Sequence, residues 1–276
     1  MSGLVVNTNI NALQVENNLV NTNNQISTSL QRLSSGLRLN SSEDDPAGYA
    51  VANSFAAKIA SMQVASQNSN EAQSMLQVAD GAYTQINNIL VQMKSIATEA
   101  ASGQTENLPT IQNEFNSLQD EIDRIANSTV YGTQTLINGG AGGYSVTFQV
   151  GATNAATDQI VVEFDSATAT DLGVSTSIGI GTLVSAQAAM TAIDAALTSI
   201  NSFMGNIGAF QNRLQYTIDN LSTSITNFSA SQSTIQDVDM ASEISSFTKE
   251  QILQQAGMAM LAQANSDPQQ ILSLLK

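Results

Sequence analysis

The sequence predicts a mainly α protein: a long antiparallel, coiled-coil-like helical bundle with one small β-hairpin region. Three observations carry that reading. Apolar residues recur in steps of four and three over long stretches, proline is confined to three positions, and one segment switches to alternation at every second residue.

The longest series starts at Ile193 and passes through Leu197, Ile200, Met204, Ile207, Gln211, Leu214, Ile218, Leu221, Ile225, Phe228, Gln232 and Ile235. A heptad pattern sustained this far, with two polar entries, makes one narrow seam on a helix on the order of 60 Å long. Upstream, Ala72, Leu76, Ala79, Tyr83, Ile86, Leu90, Met93 and Ala97 form a second series, and Ile111, Phe115, Leu118, Ile122 and Ile125 a third. The stretch from Ser102 to Pro109 between them reads as a turn. A short connection makes those two helices antiparallel neighbours, with the 193–235 helix as third partner. Ala72, Ala79 and Ala97 are small enough to let helices approach closely at their layers.

The middle differs in kind. A glycine-rich stretch, 139–143, introduces Tyr144 to Val150, apolar at alternate places, and Ile160, Val162 and Phe164 alternate again after a polar loop. These two runs predict a β-hairpin near 140–175, with 166–183 returning to the long helix. The glycines do not make a phosphate loop, because no Gly-Lys-Ser/Thr follows and the next element is a strand.

The two ends form a third zone. Val6, Leu13 and Val20 recur at sevens, with Ile10, Asn17 and Asn24 beside them, and the pattern then shifts to Ile26, Leu30, Leu33 and Leu37. Gly36 interrupts this helix, and Asp45 with Pro46 supplies a cap and first turn for the next. The segment 236–276 is amphipathic again, with Ile244, Phe247, Ile252, Ala256, Ala259 and Met260, and it finishes in Ile271, Leu272, Leu274 and Leu275.

Composition narrows the function. There is no His, Cys or Trp, so imidazole bases, thiol nucleophiles, disulfides and ordinary zinc sites are excluded. Eight cations against 23 anions exclude the basic footprint that nucleic acid requires. Only 11% of residues are charged, against roughly a quarter in an ordinary domain, and 26 Asn with 26 Gln fill the deficit. Uncharged amides meet another protein surface at a smaller desolvation cost than ions do. No unbroken run of about 20 apolar residues predicts a membrane-spanning helix, and the start lacks the basic and apolar regions of a cleavable signal peptide. The carboxylate clusters Asp44/Asp45 and Asp120/Glu121/Asp123 lack a base and a pocket, so no enzyme, no cofactor and no metal site is expected.

Charge is unevenly shared: residues 1–42 sum to +1 and 236–276 to −3, which leaves −13 on 43–235. The expected organisation is an inner domain of 1–42 plus 236–276 and a rod-like domain of 43–235. Each terminal helix has an apolar stripe but no local core, and one helix pair buries too little to be stable alone. The ends are therefore expected to be mobile in a lone subunit and to order against other copies.

Two segments give the sequence a family likeness. Leu30-Gln-Arg-Leu-Ser-Ser-Gly-Leu-Arg-Leu-Asn-Ser41 followed by Asp44-Asp-Pro-Ala-Gly48 resembles the N-terminal signature of bacterial flagellins, and Ser233 to Glu243, Lys249 to Asn265 and Pro268 to Leu275 resemble their C-terminal finish. The resemblance implies a minimal flagellin without large outer domains. It would be secreted without a cleavable signal and polymerise into the extracellular filament used for motility. The assembling residues would be Val6, Ile10, Leu13, Val20, Ile26, Leu30, Leu33, Leu37, Ile244, Phe247, Ile252, Ala256, Met260, Leu272 and Leu275. By the same resemblance the partners are further copies of the chain, an export chaperone covering the C-terminal stripe, and hook-associated junction and cap proteins. The patch read by a toll-like immune receptor falls on Gln92, Ile96, Glu99 and Glu114, with Gln92 where activating members carry Arg. A hook–filament junction protein and a flagellin-like surface binding protein are the alternatives. The second lacks an aromatic platform for sugar, since Tyr131, Tyr144, Phe148 and Phe164 suit hairpin packing.

Overall fold

The computed structural model describes residues 9–102, 107–139 and 143–274, with side chains as far as Ser266. Positions 103–106 of the expected turn, residues 140–142 of the glycine-rich stretch, Val6 and Leu275 lie outside the described residues. Five long helices carry the fold: α1 (Ile10–Ser35), α2 (Pro46–Ala100), α3 (Leu108–Ser128), α4 (Leu183–Gln236) and α5 (Met240–Leu274). Two small antiparallel pairs join them, β1 (Val130–Tyr131) with β2 (Gln134–Thr135) and β3 (Tyr144–Gln149) with β4 (Gln159–Phe164).

The helix ends follow local chemistry. Asn9 Oδ1 accepts from Ala12 N–H at 3.1 Å to start α1, which ends at Gly36 with φ of 73° and its N–H on Arg32 O at 2.8 Å. Asp45 Oδ1 takes the N–H groups of Ala47 and Gly48 at the head of α2. Thr182 Oγ1 accepts from Ser185 N–H at 3.2 Å before α4, and Asp239 Oδ1 accepts from Ala241 and Ser242 before α5.

The chain divides into two compact units, one of Met1–Ala57 with Asn227–Lys276, the other of Lys58–Thr226. Compositional bounds at 42 and 236 fall close to helix ends, whereas packing divides the chain inside α2 and α4. The start of α2 and the end of α4 join the terminal unit: the Phe55 and Phe228 rings lie 5.5 Å apart.

The 58–226 unit is a bundle of α2, α3 and α4 closed by the hairpin and the loops. All eight positions of the 72–97 series are fully buried, as are Ile193, Ile200 and Leu214 of α4. Tyr83 meets Phe203 with centroids 5.8 Å apart, and its hydroxyl donates to Asp165 O at 2.6 Å. Burial, with the Asp165 charge adding to it, pushes that phenol well above its ordinary range. Asp165 is itself raised, first by desolvation and then by Glu163. β3 and β4 pair in register from Tyr144 with Phe164 to Gln149 with Gln159, so the predicted hairpin is present.

Residues 165–182 have no regular structure, yet Ala167, Ala169, Val174 and Ile180 are buried there. Backbone groups of this segment are satisfied by α3: Gln119 Nε2 donates to Ser175 O and Ile178 O, Asp123 Oδ1 accepts from Ala169 N–H, and Gln112 Oε1 accepts from Ile180 N–H. By length and composition alone α4 is apolar enough to cross a membrane, its richest window reaching a mean hydropathy of 1.3, although no unbroken apolar run marks it. Averaging counts alanines that form a core stripe here, and the same helix carries Asp194, ion-paired with Lys94 at 2.5 Å, and Asn201, bonded to Asn87. It is the core helix of a bundle.

Candidate assembly surface

In the terminal unit α1 and α5 pair in opposite directions, and their backbones come within 8 Å of one another repeatedly. The side chains of α1 shielded from solvent include Ala12, Val15, Leu19, Thr22, Ile26, Ser29 and Leu33, spaced by three and four, with Arg32 half-buried beside them. Those of α5 include Glu243, Phe247, Glu250, Gln254, Gly257, Leu261 and Ala264, with the same spacing, and Ser266 after them. Close approach requires small residues: a Cβ on Gly257 would stand 2.9 Å from Leu19 Cδ1.

Hydrogen bonds are interleaved with the apolar side chains of this shared seam. Gln254 Nε2 donates to Asn23 Oδ1 at 2.6 Å, Ser29 Oγ to Glu250 Oε2 at 3.4 Å, and Asn9 Nδ2 to Ala264 O at 2.6 Å. At the other end of the pair the connecting segments are tied together. Arg38 Nη2 donates to Ile235 O at 2.6 Å, Arg38 N–H to Gln236 O at 2.7 Å, and Val238 N–H to Gly36 O at 3.1 Å. Asp44 then closes the 40–44 turn by accepting the Asn40 and Ser41 N–H groups; those backbone bonds, Ser41 first, hold its carboxyl below the usual range.

A second set of apolar side chains faces outward. Ile10, Leu13, Val20, Leu30, Ile244, Ile252 and Met260 are between 50% and 68% exposed, and Ala256 is exposed beside them. Ile26, Leu33, Leu37 and Phe247 are half-buried on the shared side. Leu272 lies on α5 beyond the described side chains. So the anticipated residues fall into two groups, one stitching the pair together and one left for other surfaces. Asn9, Arg38 and Gly257 were not anticipated; an Asn ahead of the first helical turn was the available signal for the first.

The anticipated receptor patch lies on the other unit. Gln92, Glu99 and Glu114 are exposed, and Gln92 Nε2 donates to Glu114 Oε1 at 3.4 Å. Ile96 is only 8% exposed and belongs to the bundle core, so it does not share that surface; its place in the helix puts it against the seam next to Ala97. No group of three or more metal-ligating side chains occurs among the described residues.

Comparison with known proteins identifies the family. The family description "Bacterial flagellin N-terminal helical region" matches residues 6–141, and "Bacterial flagellin C-terminal helical region" matches 190–275. The chain belongs to the bacterial flagellins. It is 37% identical to a flagellin of Bacillus subtilis (strain 168), covering 98% of this chain and 99% of the relative. A flagellin of Halalkalibacterium halodurans is 35% identical over 99% of this chain and 100% of its own length. The flagellar filament 33 kDa core protein of Treponema phagedenis is 33% identical over 99% and 100%. Among solved structures, Bacillus cereus flagellin is similar, with a TM-score of 0.50 and 27% identity across 60% of this flagellin and 94% of that chain.

Proposed function

We infer that this flagellin is the structural subunit of an exported, extracellular flagellar filament, and that residues 1–42 and 236–276 form the inner part through which copies stack. One observation carries the reading: besides the apolar residues that α1 and α5 share, a second apolar set, Ile10, Leu13, Val20, Leu30, Ile244, Ile252 and Met260, stays exposed. Residues of this kind gain about 1.5–3 kcal/mol each when fully covered, so the pair is completed by neighbours rather than by itself. A filament repeats a heterologous contact whose rotation does not close, which requires two different faces on every subunit, and an antiparallel pair with apolar outer sides supplies them. The same reasoning makes the terminal pair order on assembly and leaves residues 43–235 as the rod outside it. Deleting 1–42 or 236–276 abolishes filaments in electron micrographs while the rod keeps its helical circular dichroism; filaments from either truncation contradict this.

The exposed Ile252, Met258 and Met260 of the C-terminal stripe suit an export chaperone, and the ends of a growing filament suit junction and cap proteins of matching helical character. Relatives matched along their whole length bear flagellin or filament names, which favours the filament subunit over a junction or binding protein. Toll-like receptor recognition would rest on Gln92, Glu99 and Glu114. Replacing Gln92 with Arg places a guanidinium beside Glu114 and increases the response of receptor-reporter cells; an unchanged response refutes this patch.

A further inference from the structure

Helix α5 continues through Pro268, the only proline within its span. Proline has no backbone N–H, so the carbonyl four residues earlier, that of Ala264, has no helical donor. It is occupied nevertheless. The Asn9 amide donates to Ala264 O at 2.6 Å, while the same side chain's Oδ1 accepts from Ala12 N–H at 3.1 Å. One side chain therefore caps α1 and stands in for the donor that α5 lacks.

We propose that Asn9 is the register-setting residue of the terminal pair, held to a single alignment by the acceptor that Pro268 leaves free. The remaining seam is poorly specified, since apolar Ala12, Leu19, Ile26 and Leu33 recur at sevens along α1 and a shift of one heptad keeps them facing α5. Sliding α1 by seven residues toward the start of α5 would bring Asn9 to the carbonyls around Gly257, which already have helical donors, and would leave Ala264 O without a partner. A polar contact that can be satisfied in only one alignment is the device by which coiled coils select register. The inference rests on the reading of the terminal pair as the polymerising part.

The test uses the full chain and measures critical concentration by sedimentation and amide exchange over Ala12–Leu19 in the filaments. Asn9→Asp keeps the acceptor for Ala12 N–H and suits the helix N-terminus, but has no donor for Ala264 O. It raises the critical concentration about five- to tenfold and speeds exchange. In a Pro268→Ala background, where residue 268 donates to Ala264 O, the same change costs less than about twofold. Asn9→Asp behaving as wild type, or losing the same factor in both backgrounds, overturns the proposal. If no filaments form, the assembly reading has failed, and exchange over Ala12–Leu19 in the soluble chain still decides: loss with Asn9→Asp and recovery with Pro268→Ala supports the register role. Absence of that pattern, including a wild type that protects nothing there, overturns it.

Discussion

Ile252 offers the sharpest test of the outward stripe. It is 61% exposed on α5, so about three-fifths of its side chain awaits cover. Complete burial of such a chain is worth about 1.5–3 kcal/mol, which makes the uncovered share about 1–2 kcal/mol per subunit. Serine has nearly the same helix propensity as isoleucine, so Ile252→Ser removes apolar surface without weakening α5. The expected result is a five- to thirtyfold higher critical concentration for polymerisation, read by sedimentation at fixed salt. The thermal midpoint of the 58–226 unit, which does not contain the residue, stays where it was. An unchanged critical concentration would refute the argument that this side chain is covered by a neighbour, and a lowered midpoint would show that the subunit itself needed it.

Three further outcomes concern the bundle. Leu76→Ala, at a fully buried seam position, lowers unfolding free energy by about 2–5 kcal/mol in urea titration with an unchanged slope. Tyr83→Phe leaves Asp165 O without its donor at a cost of about 1–3 kcal/mol at neutral pH. Because burial raises the Tyr83 phenol, its contribution is complete below the unfolded value near pH 10 and is lost as pH rises above it, so the variant loses stability less steeply in alkali. Asp165, raised by desolvation and by Glu163, costs stability once it ionises: Asp165→Asn raises the melting temperature at pH 7, and the gain vanishes below about pH 4.

Where one apolar residue falls at every step of a heptad, the sequence is transparent. The series from Ala72 to Ala97 is buried at all eight positions because each is flanked by polar neighbours and has a partner helix within reach. The terminal pair was harder to read because its apolar residues divide between the shared seam and the outer face. Ser29 is buried while Leu30 beside it is half exposed, and Gly257 rather than Met258 or Met260 meets α1. Small residues and amides mark that contact, and they leave no trace in an apolar count. The first ten residues of α4 were missed for a related reason: its early core positions are Ala186 and Ala189, announced by the Thr182 cap rather than by large side chains. The β1–β2 ribbon has strands of two residues, too short for alternation to register, and only Gly132 at φ of 63° signals its turn. Leu136, Ile137 and Ile180 are fully buried outside helices and the long hairpin, where burial follows from tertiary closure alone.

The knot of main-chain bonds joining Gly36–Leu39 to Ile235–Val238 has a consequence for how such a chain can change over time. Both arms depart from that one anchored crossing, so a residue gained or lost in one arm displaces every facing position along the other. Length changes in either arm alone are therefore disfavoured, whereas the stretch between Ile137 and Thr182, attached by side-chain bonds from α3, can lengthen without disturbing that alignment.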